Sequence, residues 1–227
     1  SFVNWLIQSN LFIITLDNTQ EWFRYHHLIQ ELLKTRLQEQ KNTAEISRLH
    51  SQASQWFERH NFIEEAIQHR LSAGNPDEAC NIVERHRMAE LDEDRWYVVQ
   101  RWLNMIPEEL KPVRPELLLS DAWSAYENFQ LEQIPGLLDQ VKALLKDNQE
   151  HQALLGECYL IYGLVYHWSG NGDMALEQFQ KALKFLPDKR KLAMGMLYLH
   201  IALARGATGK KELAFKDLDK QFLDGRG

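Results

Sequence analysis

The first glycine of this 227-residue chain is Gly74 and the first proline is Pro76, so 73 residues pass before either of the residues that turn a backbone most cheaply. A β-sandwich or barrel needs a turn every ~8–12 residues, usually built on one or the other. The opening therefore excludes an all-β fold and argues against a doubly wound nucleotide-binding one. Helices are predicted. With 44% hydrophobic and 26% charged residues the chain can bury a core, so disorder is excluded as well.

A net charge of −6 leaves no basic field with which to track phosphates, and direct contact with nucleic acid is not expected. Cys80 and Cys158 are too few and too far apart for a disulfide framework or a zinc site, which predicts reduced thiols and a cytoplasmic location. No apolar run approaches the ~18 residues of a membrane span, and no signal peptide is legible. The chain starts at Ser1 rather than Met and stops at Gly227, just past an amphipathic segment, which reads as a piece of a longer protein.

Residues 2–9 have helical spacing, whereas Leu11 to Leu16 reads as a strand. Asp17 to Gln20 carry turn chemistry, and Trp22, Phe23 and Tyr25 make a second strand, giving one β-hairpin over 11–26. Leu28, Ile29, Leu32, Leu33 and Leu37 then place an apolar helical stripe against it. Residues 1–40 thus look like the end of a winged helix. A helical linker follows over 41–113, its first two helices meeting at His60-Asn61. Gly74 is placed to end a helix, Asn75 to cap the next, Pro76 to begin it, and Glu78 to complete a capping box. Pro107, Pro112 and Pro115 close this region.

From 114 to 227 the chain repeats itself. Counting from Gly156, the residues Gly163, Tyr166, Ala175, Phe179, Ala182 and Pro187 fall on the signature positions of a tetratricopeptide repeat, a helix-turn-helix unit of about 34 residues. Gly163 and Ala175 are small where the two helices of a unit cross, and Tyr166 and Phe179 fill the gap between units. Ile134, Ala175 and Ala214 occupy equivalent places 41 and 39 residues apart, so the units are longer than standard. Pro135 is expected in the first turn of its helix. The predicted fold is all-α: a tetratricopeptide-like superhelix after a winged-helix remnant.

The stretch from Trp22 through Arg24, Tyr25, His26, His27 and Leu28, with Glu31-Leu32-Leu33 and Arg36-Leu37 behind it, resembles the end of the winged helix in large ATP-dependent bacterial transcriptional regulators of the LuxR class, signal-transduction ATPases of the maltose-regulon-activator type. Leu49-His50, Ala53, Trp56-Phe57, Glu65-Ala66-Ile67, His69, Ala73-Gly74, Trp102-Leu103, Ile106-Pro107 and Arg114-Pro115-Glu116-Leu117 are similar to the helical linker of that family. The resemblance implies four parts in order: a phosphate-loop ATPase, the winged helix, a superhelical repeat sensor and a DNA-binding helix-turn-helix. It places ATP before Ser1 and DNA binding after Gly227, leaving no cofactor within these residues. It also implies that an inducer on the sensor favours the assembled state, with oligomerisation confined to the intact protein.

No enzyme chemistry is legible. Gly206 to Lys211 lacks the spacing and the Ser or Thr of a phosphate loop and reads as a turn, as does Trp168 to Gly172. The nine histidines include no metal motif; His26 and His27 are adjacent, and His50, His60 and His69 lack a spacing of four. Asp92, Glu93 and Asp94 read as capping the helix after them. What remains is a surface. In a tetratricopeptide register Glu157, Leu160, Leu164, His167 and Trp168, with Glu116, Leu119, Trp123 and Tyr126 one unit earlier, line the concave side. That aromatic wall suits a small-molecule inducer or an apolar peptide, while packing between helices would use the same residues. The other function these residues fit is a helical-repeat interaction scaffold, free-standing or joined to another output such as a kinase or cyclase.

Overall fold

Two short strands open the described part of the chain, which in this computed structural model comprises residues 13–15, 23–145 and 151–207. Ile13–Thr15 (β1) and Phe23–Tyr25 (β2) pair antiparallel with Ile14 opposite Arg24. This is the expected hairpin; its turn and the helical segment at 2–9 lie outside the described residues. His26 caps the following helix α1 (His27–Gln40), its ring nitrogen accepting from the Leu28 amide at 3.4 Å. In the apolar stripe of α1, Leu28, Leu32 and Leu33 are 64%, 53% and 46% exposed while Ile29 and Leu37 are half-buried, and most of the hairpin this stripe was expected to meet lies outside the described residues.

Helices α2 (Thr43–Arg59) and α3 (Ile63–Ser72) pack as the predicted pair. Three polar ties join them: Ser54 donates to the Ala66 carbonyl at 2.8 Å, Ser47 to that of Ala73 at 2.7 Å, and the Nδ1 atoms of His50 and His69 lie 2.9 Å apart. After them come α4 (Pro76–Leu91), α5 (Trp96–Leu103), a 3₁₀ segment Glu108–Val113 that accommodates Pro112, α6 (Pro115–Glu127), α7 (Ile134–Leu145), α8 (Gln152–Trp168), α9 (Gly172–Phe185) and α10 (Lys191–Ala207). Pro76 and Pro115 open their helices, and Pro135 sits in the first turn of α7 as expected.

Five of these helices end alike. Asn61, Gly74, Asp94, Phe129 and Gly170 each take a positive φ, between 56° and 76°, and in each case the next amide bonds back to a carbonyl five residues earlier, as Asn75 does to Arg70 at 3.1 Å. Only two of the five are glycine, so the scarcity of glycine does not mean a scarcity of turns. The motif also overturns the predicted capping box at Asn75. The Asn75 amide, which the Glu78 carboxylate would have to reach, is committed to Arg70; Asn75 makes no side-chain cap, and Glu78 accepts from Asn81 instead. A capping box does form at Asn42 and Glu45, ahead of α2.

Within the repeat the small residues lie at close approaches between helices. Gly156 lies against the end of α9, where a Cβ would fall 2.7 Å from the Leu186 amide nitrogen, and a Cβ on Gly163 would overlap the Phe179 ring. Phe179 therefore fills the crossing within its unit, and its ring centroid lies 6.1 Å from that of His200 on α10, so it reaches the next helix too. Ala175 and Ala182 are fully buried, Tyr166 stacks beside Tyr162, and Pro187 follows the end of α9. Gly206 belongs to α10, not to a turn, while Thr208 to Lys211, Ala214 and Leu218 lie outside the described residues. The turn at Trp168 to Gly172 is present, with Asn171 capping α9.

Helices α4, α6, α8 and α10 touch in succession and form one layer; α7 and α9 pack behind it. One core of buried residues runs from Ile63 to Ala204, so the packing is continuous across residue 113. Gly163→Ala is expected to lower the melting temperature by several degrees, since overpacking costs about 1–3 kcal/mol. Gly136→Ala, where a Cβ meets nothing within 4 Å, is expected to leave it unchanged or raise it. Thermal melts followed by circular dichroism check both.

Candidate functional site

Cys80, Val83, Arg87 and Leu91 share one face of α4, and all four are buried. An arginine on such a stripe needs a partner, because an unpaired buried charge is prohibitively costly. Glu157, on the same face of α8 as Leu160 and Leu164, provides it. The guanidinium donates to both carboxylate oxygens, at 2.9 and 2.8 Å, with the two side chains 1% and 2% exposed. The Trp123 indole of α6 donates to the same carboxylate at 2.7 Å, and Arg87 also reaches Ser120 at 3.4 Å. Arg190, at the entrance to α10, lies 4.0 Å from Glu157 and donates to Asp92 at 2.9 Å. Burial pushes the Glu157 carboxyl up, but Arg87, Arg190 and the indole outweigh it and hold its pKa below the usual carboxylate range.

Two grooves open around this network. One, a narrow cleft of about 30 Å³, lies between the α4–α5 turn, α6 and α10 and is lined by Trp96, Trp123, Met196, Asp94 and Glu127. The other, of about 410 Å³, runs over Glu84, Met88, Glu116, Leu154 and Lys189. Asp92 and Arg190 line both, so their ion pair marks where the grooves meet.

The predicted concave residues separate into two sets. Leu119, Leu160 and Leu164 are fully buried and Trp123 nearly so, because α6 and α10 pack directly onto α8 along that face. These four are core, not a solvent-facing wall, and the packing alternative holds for them. Tyr126, His167 and Trp168 lie at the far end of the same helices. Trp168 is 52% exposed, donates to the Tyr126 hydroxyl at 3.2 Å and meets Phe129 edge-on, while His167 faces His200. Phe129, 70% exposed with a φ of 56°, extends this patch and was not anticipated, since helix-end register does not reveal which residue is left facing water. Glu116 borders the larger groove.

Asp92, Glu93 and Asp94 do not cap α5 as predicted. The turn ending α4 commits the Arg95 amide to Glu90; Asp92 pairs with Arg190, and Glu93 with Arg95. The histidine pair escaped a search for spacings within one helix because its members come from two. Burial and the charge of His50 push His69 down. Among the described residues, no three His, Cys, Asp or Glu side chains come together to hold a metal. Arg87 and Glu157 had a legible signal: each is a charge on an otherwise apolar helical stripe.

Comparison with known proteins agrees with the family resemblance. Residues 1–46 match the MalT winged helix domain, and the stretch Trp22 to Leu28 lies within that match. The chain is 27% identical over 184 residues, 80% of its length, to the HTH-type transcriptional regulator MalT of Yersinia pestis (strain Pestoides F), and to the same extent to that of Serratia proteamaculans (strain 568). It spans 20% of the length of these relatives. Among solved structures, MamA protein superposes with a TM-score of 0.52 over 78% of this chain and 90% of that one, at 17% identity, a likeness of fold alone. The chain is thus similar to a segment of MalT-type regulators: a stretch that matches a winged helix, followed by tetratricopeptide-like helical repeats.

Arg87→Ala and Glu157→Gln are each expected to cost about 3–5 kcal/mol in urea unfolding, with a double variant well short of the sum. Because the folded state depresses the Glu157 pKa, its contribution is complete above the unfolded value of about 4.3 and is lost as pH falls through the lower folded value. The parent should therefore lose stability on acidification more steeply than Glu157→Gln, as urea titrations between neutral pH and pH 3 would show.

Proposed function

We propose, starting from the likeness to MalT-type regulators, that these residues are the arm and repeat sensor of an ATP-dependent transcriptional regulator. An inducer or partner held on the layer of α4, α6, α8 and α10 biases the arrangement of arm and ATPase. ATP binding and DNA reading are assigned to parts of the protein outside these residues, and no catalytic role is given to any side chain described above.

The observation that carries the reading is the joint beneath the grooves. Arg87 comes from the linker, Trp123 and Glu157 from the repeats, and Arg190 from the entrance to the next helix. A ligand entering either groove meets side chains of this joint, so the difference in its affinity for two arrangements can be transmitted to the linker. A second reading, an interaction scaffold, is favoured by the exposed patch of Tyr126, Phe129 and Trp168.

Thermal-shift screening of the chain against sugars, nucleotides and peptides tests both. A ligand at a hundred times its Kd adds about 2.7 kcal/mol, several degrees for a chain of this size. A groove ligand should survive Trp168→Ala, and a peptide on the patch should not. A screen without shifts in any class would sink the sensor reading, as would micromolar affinity for ATP, which would move the ATPase function into these residues.

A further inference from the structure

The larger groove holds hydrogen-bond donors that the network beside it leaves unspent. Arg87 lines it and gives both terminal nitrogens to Glu157, which leaves its Nε–H buried with no hydrogen-bond partner among the described residues. Arg190 lines it too and is 9% exposed. Its Nε donates to Asp92 and its Nη1 stands 4.0 Å from Glu157, so its terminal N–H groups make no hydrogen bond among the described residues. Lys189, at the rim, has no side-chain partner there either. A buried arginine N–H without an acceptor is costly, so these donors mark a place where an acceptor belongs. The acids on the same walls do not supply it. Glu84 is engaged by Arg114, Glu157 by Arg87 and the Trp123 indole, and Asp92 by the Arg190 Nε, while Glu116 makes no side-chain contact with any of the three donors. Met88, Ala153, Leu154 and Pro187 add an apolar lining, and the volume of about 410 Å³ falls within the ~300–1,000 Å³ of small-molecule sites.

We infer that this groove binds a small organic monoanion, a carboxylate on a short apolar stem, with Arg87, Lys189 and Arg190 holding the carboxylate and Met88, Leu154 and Pro187 the stem. A carboxylate suits these donors better than a hydroxyl, because charge-assisted hydrogen bonds are about twice as strong as neutral ones. A phosphate dianion is a poorer fit, since its second charge would face Glu116 and the three engaged acids. An ammonium group would meet three cations. The inference rests on reading this layer as a ligand-binding face and adds the class of ligand.

Calorimetric titration of the chain with hexanoate, set against 1-hexanol, hexylammonium and hexyl phosphate, is the test. Hexanoate is expected to bind at least about tenfold tighter than the alcohol or the amine, and tighter than the phosphate. Arg190→Gln and Lys189→Gln should each weaken it about threefold or more. Lys184→Gln, the same change of charge at an exposed position near the end of α9, should leave it unchanged. A thermal melt verifies that each variant remains folded; if Arg190→Gln does not, Lys189→Gln decides. Arg87 is kept because the fold needs it, and its Nε–H resonance should move as hexanoate is added to the parent. Equal affinity for acid and alcohol, folded variants that bind like the parent, or an Arg87 Nε–H signal that stays still, as it would with only a buried water beside it, would overturn the inference. A neutral or cationic ligand found for the same groove would remove the anion while leaving the sensor reading intact.

Discussion

Arg87 and Glu157 are seventy residues apart, both almost fully buried, and neither can stay charged in the interior without the other. Helix α4 cannot bury its apolar stripe unless α8 presents a carboxylate at the right level, and α8 cannot bury Glu157 unless α4 and the Trp123 indole of α6 arrive together. A slip of one helical turn, about 5.4 Å, would strand both charges. Apolar residues would fill the same volume at comparable or lower free energy, so the pair is poorly explained as a source of stability alone. What it supplies is register: one relative placement of α4 and α8 is permitted, and sliding alternatives are penalised.

The small residues do the corresponding work inside a unit. Gly156 and Gly163 lie on one face of α8, seven residues apart, and α9 closes on both through the Leu186 backbone and the Phe179 ring. That close approach fixes the angle between the two helices, while successive contacts of α4, α6, α8 and α10 fix the angle between units. The grooves follow from these angles. They lie where turns and helix ends meet that layer, which is why their walls combine residues as distant in sequence as Glu84 and Arg190.

Much of this was legible in the sequence, and what was not has identifiable causes. The hairpin, the helix pairs, the proline starts and the glycine positions of the repeat depend on local chemistry, and local chemistry is written in order along the chain. The leucines of α1, the acids at 92–94 and the expected concave wall depended on what lies opposite them. Leu160 and Leu164 occupy positions that face outward in an idealised superhelix, but here α6 and α10 cover them. Asn75 and Glu78 had the composition of a capping box and lost it to a turn that claimed the same amide. Charges on apolar stripes at 87 and 157 announced that partners must exist without saying which ones.

The ion pair of Asp92 and Arg190 gives this layer a place where it can yield. It links the end of α4 to the start of α10 across 98 residues, is half-shielded at Asp92, and belongs to both grooves. Unlike the buried pair, it can be separated with water on at least one side, so the cost of opening it is modest. Arg190 also stands 4.0 Å from Glu157 and helps keep that carboxylate ionised. On the proposed sensor reading, a ligand that drew Arg190 or Asp92 away would therefore disturb the register pair without touching it. Rigid contacts set the arrangement of α4 against α8, and on the proposed sensor reading the softer pair beside them is where a bound molecule would have leverage on it.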